Sequence, residues 1–450
     1  MPDMNAEKQY IDLFAQCEDL VCRNSAPALN ALRAAALASF ERLGFPSTKS
    51  EDYKYTDVSQ VFAPDYGLNL KRVAIPVNPY DVFRCDVPNL STSLYFVVND
   101  TFYDKALPKA HLPEGVYAGG LRAFAEQHPE IVSRYYGKAA SVERDGIIAL
   151  NTMLAQDGFV IYVPKGVVVE RPIQLVNIFR SDVDTMANRR VLVIAEPHTE
   201  VKLLVCDHSI DDVKFLATQV IEIFAEEGAM VDYYDLEESS ESTTRFSSLH
   251  VTQAANSNVL VNGITLMNGL TRNNYYIELN GEGAEAALCG MSVLDKEQHL
   301  DTYTHISHAV PYGTSNELFT NVLNDRALGA FSGRILVKEG ADKTAAYQTN
   351  RNLCATREAR MYSKPQLEIY ADDVKCSHGM TTGQLDENAL FYMRSRGIPL
   401  EEARMLLSVA FTSDVIDSIR VEALKDRLHK LVEKRFRGEL AKCAGCRICK

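Results

Sequence analysis

VLVNGITLMNGLTRNNYYIELNGEGA, residues Val259 to Ala284, sets two apolar, β-rich runs side by side, VLVNGITLM and NYYIELN, and ends on a glycine-bearing turn. Short runs of Val, Ile, Leu and Tyr bounded by Gly, Asn and Ser read as strands. The same texture continues outward through VIYVP, IQLVNIF, VLVIAE, VKLLVCD and VIEIFAE on one side and FSGRILVKEG on the other. The turn segments between runs centre on Gly166, Thr199, Gly228, Ser257, Gly283, Thr314, Gly340 and Asp372, at intervals of 26 to 33 residues by subtraction. A unit that returns at this period with no helix between runs is expected to stack on its neighbours as a solenoid of strands. About eight rungs at ~4.8 Å make a body ~38 Å long, whose interior is a column of alternate side chains and whose two ends are open strand edges.

The flanks read as helix. Tyr10, Leu13, Phe14 and Cys17 form one apolar stripe and Leu29, Leu32, Ala36 and Phe40 another, until Gly44 and Pro46 stop the pattern. From Phe62 to Tyr136 the chain mixes a short strand at Leu94 to Val98 with a helical piece at Leu121 to His128. Past Gly383, Asp386 is placed as an N-cap and Gly397 as the residue that ends the helix. Ala403, Leu406, Leu407, Ala410 and Phe411 predict an apolar helix face. Val421, Leu424, Leu428 and Leu431 predict a third, opposite a basic face of Lys425, Arg427, Lys430 and Lys434. The expected organisation is mainly β: a mixed, helical N-terminal domain over 1–140, a parallel β-helix over 141–383, and a helical domain over 384–450 ending in a Cys-rich tail. Both helical flanks are natural covers for the open ends of the coil.

The formal charge of −13 over 450 residues argues against binding to nucleic acid, which needs basic surface, and gives no reason to expect a membrane surface as partner. No basic-then-apolar leader and no membrane-length apolar run is seen, so a cytoplasmic chain with reduced cysteines is expected. The ten cysteines are then packing, ligand or reactive thiols. No phosphate-cradling loop is present; GADKT, Gly340 to Thr344, lacks the second glycine. Asp372 and Asp373 are adjacent and cannot share a proton on an extended backbone. His299, His305 and His308 resemble a metal set by count only, and Cys206 and Cys289 read as interior packing.

Two groupings carry chemistry. In QLEIYADDVKCSH, Leu367, Ile369 and Ala371 alternate with polar neighbours like one face of a strand, and Cys376 and His378 lie two apart, on one side of an extended backbone. A thiolate beside an imidazole suits sulfur, iron or copper, although a buried Cys is often only a small hydrophobe. At the far end CAGCRICK carries Cys443, Cys446 and Cys449 at C-x2-C-x2-C spacing, three positions of a ferredoxin-type run without the fourth Cys.

The run SKPQLEIYADDVKCSHGMTTGQLDENALFYMRSRGI (Ser363 to Ile398), together with TAAYQTNRNL (Thr344 to Leu353), HISHAVPYGTS (His305 to Ser315) and SEDYKYTDV (Ser50 to Val58), resembles the SufB/SufD family of iron–sulfur cluster assembly scaffolds. Within it the likeness is closer to the SufD branch, with Tyr53 where that branch usually has tryptophan. The resemblance implies a right-handed parallel β-helix and a non-catalytic subunit that pairs with SufB through the β-helix. It further implies that the SufC ATPase docks on the C-terminal helices, and that the chain is a homodimer when alone. Cys376 and His378 would then stand at the SufB interface where a nascent iron–sulfur cluster forms, His378 being the stronger contact; a flavin in the complex is an open second cofactor. The cysteine tail is no part of the family pattern. Two other readings share the coil: a homodimeric structural scaffold, and a polysaccharide-active enzyme, for which a secretion signal and an acidic row along one face are missing.

The tail gives a direct test. The isolated protein is expected to carry zinc or iron, and the Cys443→Ser, Cys446→Ser, Cys449→Ser variant to lose it; an unchanged metal content by elemental analysis would discard the tail as a ligand set.

Overall fold

Side chains two apart along a strand share a face, and in the middle of this chain one such set is apolar in run after run, so the strands close around it. The computed structural model describes residues 6–82, 91–105 and 112–439. Chain order gives β1 (Ser93–Val98), β2 (Thr101–Phe102), β3 (Tyr117–Gly120), β4 (Phe159–Val163), β5 (Ile173–Phe179), β6 (Thr185–Ala195), β7 (Glu200–Ser209), β8 (Phe215–Ala225), β9 (Met230–Glu238) and β10 (Thr243–Gln253). It continues through β11 (Asn258–Met267), β12 (Leu270–Leu279), β13 (Glu285–Leu294), β14 (His299–His308), β15 (Thr314–Leu323), β16 (Leu328–Val337), β17 (Ala345–Cys354), β18 (Arg360–Ile369) and β19 (Lys375–Gly383). From β4 onward each strand pairs in parallel with the strand two places along, so odd strands build one sheet and even strands the other. The result is the expected parallel β-solenoid, of about eight turns. At the starting end β2 and β3 pair antiparallel, with β1 and β4.

One corner of the coil explains the period read from the sequence. Gly166, His198, Gly228, Asn256, Gly283, Tyr312 and Lys343 all have positive φ. The N–H of Gly166 donates to Pro197 O at 2.9 Å, that of His198 to Glu227 O at 2.8 Å and that of Gly228 to Ala255 O at 2.9 Å, so each corner is bonded to the next. Glycine takes this conformation at no steric cost, and Asn tolerates it. The hydroxyls of Thr199 and Ser257 donate to Glu196 O and Ala254 O and brace the same turns.

Inside, Val201, Val231, Val259, Ile221, Leu249 and Ile277 belong to one continuous buried cluster. Each such side chain contributes about 1.5–3 kcal/mol by leaving water. The same interior also holds charge. Arg189 Nη1 lies 2.9 Å from Asp207 Oδ1, and Arg245 lies 2.9 Å from Asp207 Oδ2, 3.1 Å from Asp235 and 3.3 Å from Glu237. Burial raises the Asp207 carboxyl, but the two guanidiniums outweigh it and hold the group below its ordinary range.

Helices α1 (Ala6–Arg23), α2 (Pro27–Asn30), α3 (Arg33–Leu43), α4 (Val58–Phe62), α5 (Pro79–Val82), α6 (Leu121–Gln127), α7 (Pro129–Tyr135) and α8 (Gly146–Leu154) precede the coil, and α9 (Glu387–Ser395), α10 (Leu400–Asp417) and α11 (Glu422–Phe436) follow it. Phe14, Phe40 and Leu150 pack with Leu216 and Phe246 on the outer face of the even-strand sheet. Buried Arg33 donates to Met153 O and Ala155 O, closing the C-terminal carbonyls of α8.

Three sequence expectations need correction. The C-terminal helices do not cover the last rung: Val415, Ile416, Leu424, Leu428 and Val432 fold back on the outer face of the odd-strand sheet, against Leu260, Met291 and Val293. Those strands carry apolar residues on both faces, and the helices bury the outer one. Cys206 and Cys289 are buried in that outer layer and not in the interior. The buried face of α10 is Ala403, Met405, Ser408, Thr412, Val415 and Ile416, leaving Leu406 exposed, because the α11 contact rotates the helix away from its most apolar stripe. Asp386 does cap α9, accepting from Asn388 N at 2.9 Å, and Gly397 has φ 88.

The interior charge cluster should be sensitive to loss of one member. Asp207→Ala leaves the buried Arg189 guanidinium without its carboxylate and takes one of three from Arg245, and is expected to remove about 3–5 kcal/mol of stability; a urea unfolding midpoint equal to the parent's would show that Asp207 contributes nothing.

Candidate functional site

The QLEIYADDVKCSH run is two strands, not one. β18 ends at Ile369, the chain turns through 370–374, and β19 begins at Lys375 in the opposite sheet. The exposed acidic pair Asp372 and Asp373 makes this corner, with Lys343 N donating to Asp373 O at 2.6 Å. Cys376 and His378 thus share a face of β19, as their spacing predicts, and that face is the inner one: their register partners on β17 are Ala346, part of the interior cluster, and Gln348, 1% exposed.

β18 and β19 are the last strands of their sheets, and neither has a strand beyond it among the described residues. The coil therefore ends as an open rim. Cys376 packs against the interior cluster and its thiol is pushed up by partial burial, whereas His378 stands exposed. Around the rim Tyr347, Tyr362, Ile369, Tyr370 and Met380 are exposed apolar side chains, an arrangement typical of a surface that meets another chain. Among the described residues no three His, Cys, Asp or Glu side chains are grouped to hold a metal. Cys376 and His378 alone are two ligands, so a complete metal site here needs donors from elsewhere.

Below the rim the interior turns polar. Glu317 on β15 is buried; Thr304 donates its hydroxyl to Oε1 at 2.6 Å and Gln348 donates Nε2–H to Oε2 at 2.8 Å. Burial pushes the Glu317 carboxyl up to about 7, against the opposing pull of those two donors. One column over, His308 Nε2 lies 2.8 Å from Ser315 Oγ. The signal for these groups was available: in TSNELFTNVL and AAYQTNRNLC the polar Glu317 and Gln348 occupy the positions that alternation assigns to the interior.

The motif SEDYKYTDV clamps the N-terminal segment to the same end of the coil. Tyr53 is buried, donates to Asp145 Oδ2 at 2.6 Å and lies 4.3 Å beneath the Arg272 guanidinium. Thr56 donates to Asp301 Oδ2 at 2.6 Å. Tyr55 stacks on Tyr362 of β18 at 4.3 Å, and Glu51 pairs with Lys364 at 2.6 Å. Between this clamp and the rim lies a cavity of about 280 Å³ lined by Glu51, Tyr55, Phe331, Tyr362 and Met380.

The three histidines do not form a set: strand alternation turns His299 and His305 outward and His308 inward. Burial lowers His305 and His308 to about 4, so both are neutral at pH 7. Gly340 and Lys343 of GADKT form a corner of the coil. Cys443, Cys446 and Cys449 lie outside the described residues. No helix is long and apolar enough to cross a membrane among the described residues.

Comparison with known proteins gives a consistent result. Residues 4–175 match the SufBD protein N-terminal region, and residues 178–411 match the SUF system FeS cluster assembly SufBD core domain. The chain is 28% identical over 404 residues to an iron–sulfur cluster assembly SufBD family protein of Synechocystis, covering 87% of this chain and 88% of that protein. It is 27% identical to the iron–sulfur cluster assembly protein SufD of Escherichia coli, over 88% of this chain and 90% of that one. With SufD of Bacillus subtilis the identity is 27%, over 96% and 99% of the two chains.

The Glu317 carboxyl predicts a pH effect. The folded chain keeps this proton up to about pH 7, while the unfolded chain releases it near the ordinary value of 4.5. Its contribution to stability is present below that ordinary value and lost as pH rises through about 7. Glu317→Gln is therefore expected to flatten part of the fall in urea midpoint between acid and neutral pH, and an unaltered pH profile would contradict the raised value.

Proposed function

This chain belongs to the SufBD family of iron–sulfur cluster assembly proteins, and from that premise we propose that it is a SufD-like, non-catalytic scaffold subunit. The observation that carries the reading is the unfinished last rung: an open strand edge, ringed by exposed aromatics, with a thiol and an exposed imidazole on its inner face. An open edge is completed by a strand of another chain. The proposed occupant is a SufB-type subunit, and in its absence a second copy of this chain. Iron and sulfide are the cargo. Ferrous iron accepts imidazole nitrogen and thiolate, and two ligands from each side of an interface make a site that opens when the chains separate.

The ATPase partner is proposed to dock on the C-terminal helices. Phe391 and Tyr392 on α9 are 74% and 59% exposed, Tyr392 with Arg396, at the end of the same helix, against its ring. α11 adds charge at its free face, where Lys430 and Lys434 lie opposite buried Leu428 and Val432. The cytoplasm is the proposed compartment, as the reducing surroundings that such thiols need.

Size measurement of the chain alone, then with SufB-type and SufC-type proteins, is expected to show a homodimer replaced by a mixed complex. His378→Ala is expected to leave that assembly intact and to depress maturation of iron–sulfur client enzymes in cells about tenfold or more, as loss of a metal-contacting group would. Normal client activity in His378→Ala cells would remove the rim from the mechanism.

A further inference from the structure

Three register partners stand in a line beneath the open rim: Glu317 on β15, Gln348 on β17 and His378 on β19. Glu317 accepts at both oxygens, from Thr304 and from Gln348 Nε2. Above about pH 7, where Glu317 is ionised, the second of these bonds fixes which way the Gln348 amide lies, because a carboxylate accepts and only the NH2 end of an amide can donate to it. The carbonyl end is left over: Gln348 Oε1 is buried and has no partner, and the next residue in the column is His378. Room for the amide comes from across the coil, at Gly333, where a Cβ would sit 2.3 Å from Gln348 Nε2. A buried acceptor without a donor costs about 1–3 kcal/mol. Two donors adjoin it: the buried Asn350 Nδ2 on the same face of β17, also without a partner, and at the rim the imidazole N–H of His378, on an exposed side chain that can turn to it.

We propose that Gln348 is a positioning residue for His378: its amide oxygen accepts the N–H of one imidazole nitrogen, which fixes the tautomer and presents the other nitrogen's lone pair to iron at the rim. A ligating histidine is commonly oriented in this way through its second nitrogen, and loss of the orienting partner costs about 10- to 100-fold in metal affinity. Thr304 and Glu317 act one step further back, by holding the amide the right way round. The value of the inference for iron binding rests on the function proposed above; which ring nitrogen carries the proton does not.

The test is the tautomer itself, read from ¹⁵N-histidine spectra of the full chain without metal, at a pH where the ring is neutral, with His378 assigned by its loss in His378→Ala. The parent is expected to show one predominant tautomer, and Gln348→Met, which keeps the volume without the acceptor, an averaged mixture. Gln348→Leu, which also removes the acceptor, gives a second reading if Gln348→Met does not fold. An identical His378 signal in the parent and in whichever of these variants folds overturns the inference. Because no iron is present, that outcome leaves the assembly function untouched; conversely, a shifted tautomer beside normal client maturation in His378→Ala cells keeps the contact and discards the iron role.

Discussion

A strand in this coil can satisfy its backbone N–H and C=O groups only by handing them to the strand two places further on, and that obligation ends unmet at β18 and β19. At the starting end the antiparallel β2 and β3 take up the edges. At the far end no strand follows β18 and β19 among the described residues, and α10 and α11 are drawn to the apolar outer face of the odd-strand sheet. The location of the candidate site follows from this asymmetry. The open edge at β18 and β19 is also where the inner face of a strand comes to the surface with Cys376 and His378 on it.

Much of this was legible in the sequence, because a coil repeats its turns. Gly166, Gly228 and Gly283 mark the positive-φ corner directly, and Thr199 and Ser257 mark it through the residues just before them, His198 and Asn256. The two-residue spacing of Cys376 and His378 was enough to place both on one face. What the spacing does not hold is which face, or that the corner at Asp372 and Asp373 separates them from Leu367. That is decided by the stacking of β19 on β17, a long-range register. The face of α10 was misread for a related reason: Leu406 is the more apolar residue, but contact with the sheet and α11 selects Met405 and Ser408.

The polar interior was the least legible part. The side of the strand that Glu317 and Gln348 occupy follows from alternation, but that these polar groups, like Arg245 and Asp207, lie out of reach of water is decided only by the closure of the two sheets. Each finds a partner on another strand of the coil, 10 to 38 residues away for Arg245 and 31 for Glu317 with Gln348. Such networks are sensitive to the removal of a single member, so they fix register more tightly than apolar packing does.

The clamp between the N-terminal motif and the end of the coil has a consequence for how the protein is made. Glu51 and Lys364 are 313 residues apart in the chain, and Tyr55 waits for Tyr362 over a similar distance. A ribosome delivers the early partner long before the late one, at roughly 5–20 residues per second. The first sixty residues accordingly spend tens of seconds without the partners that Glu51 and Tyr55 find on β18. The open edge at β18 is thus braced by the N-terminal motif only once translation has passed the coil.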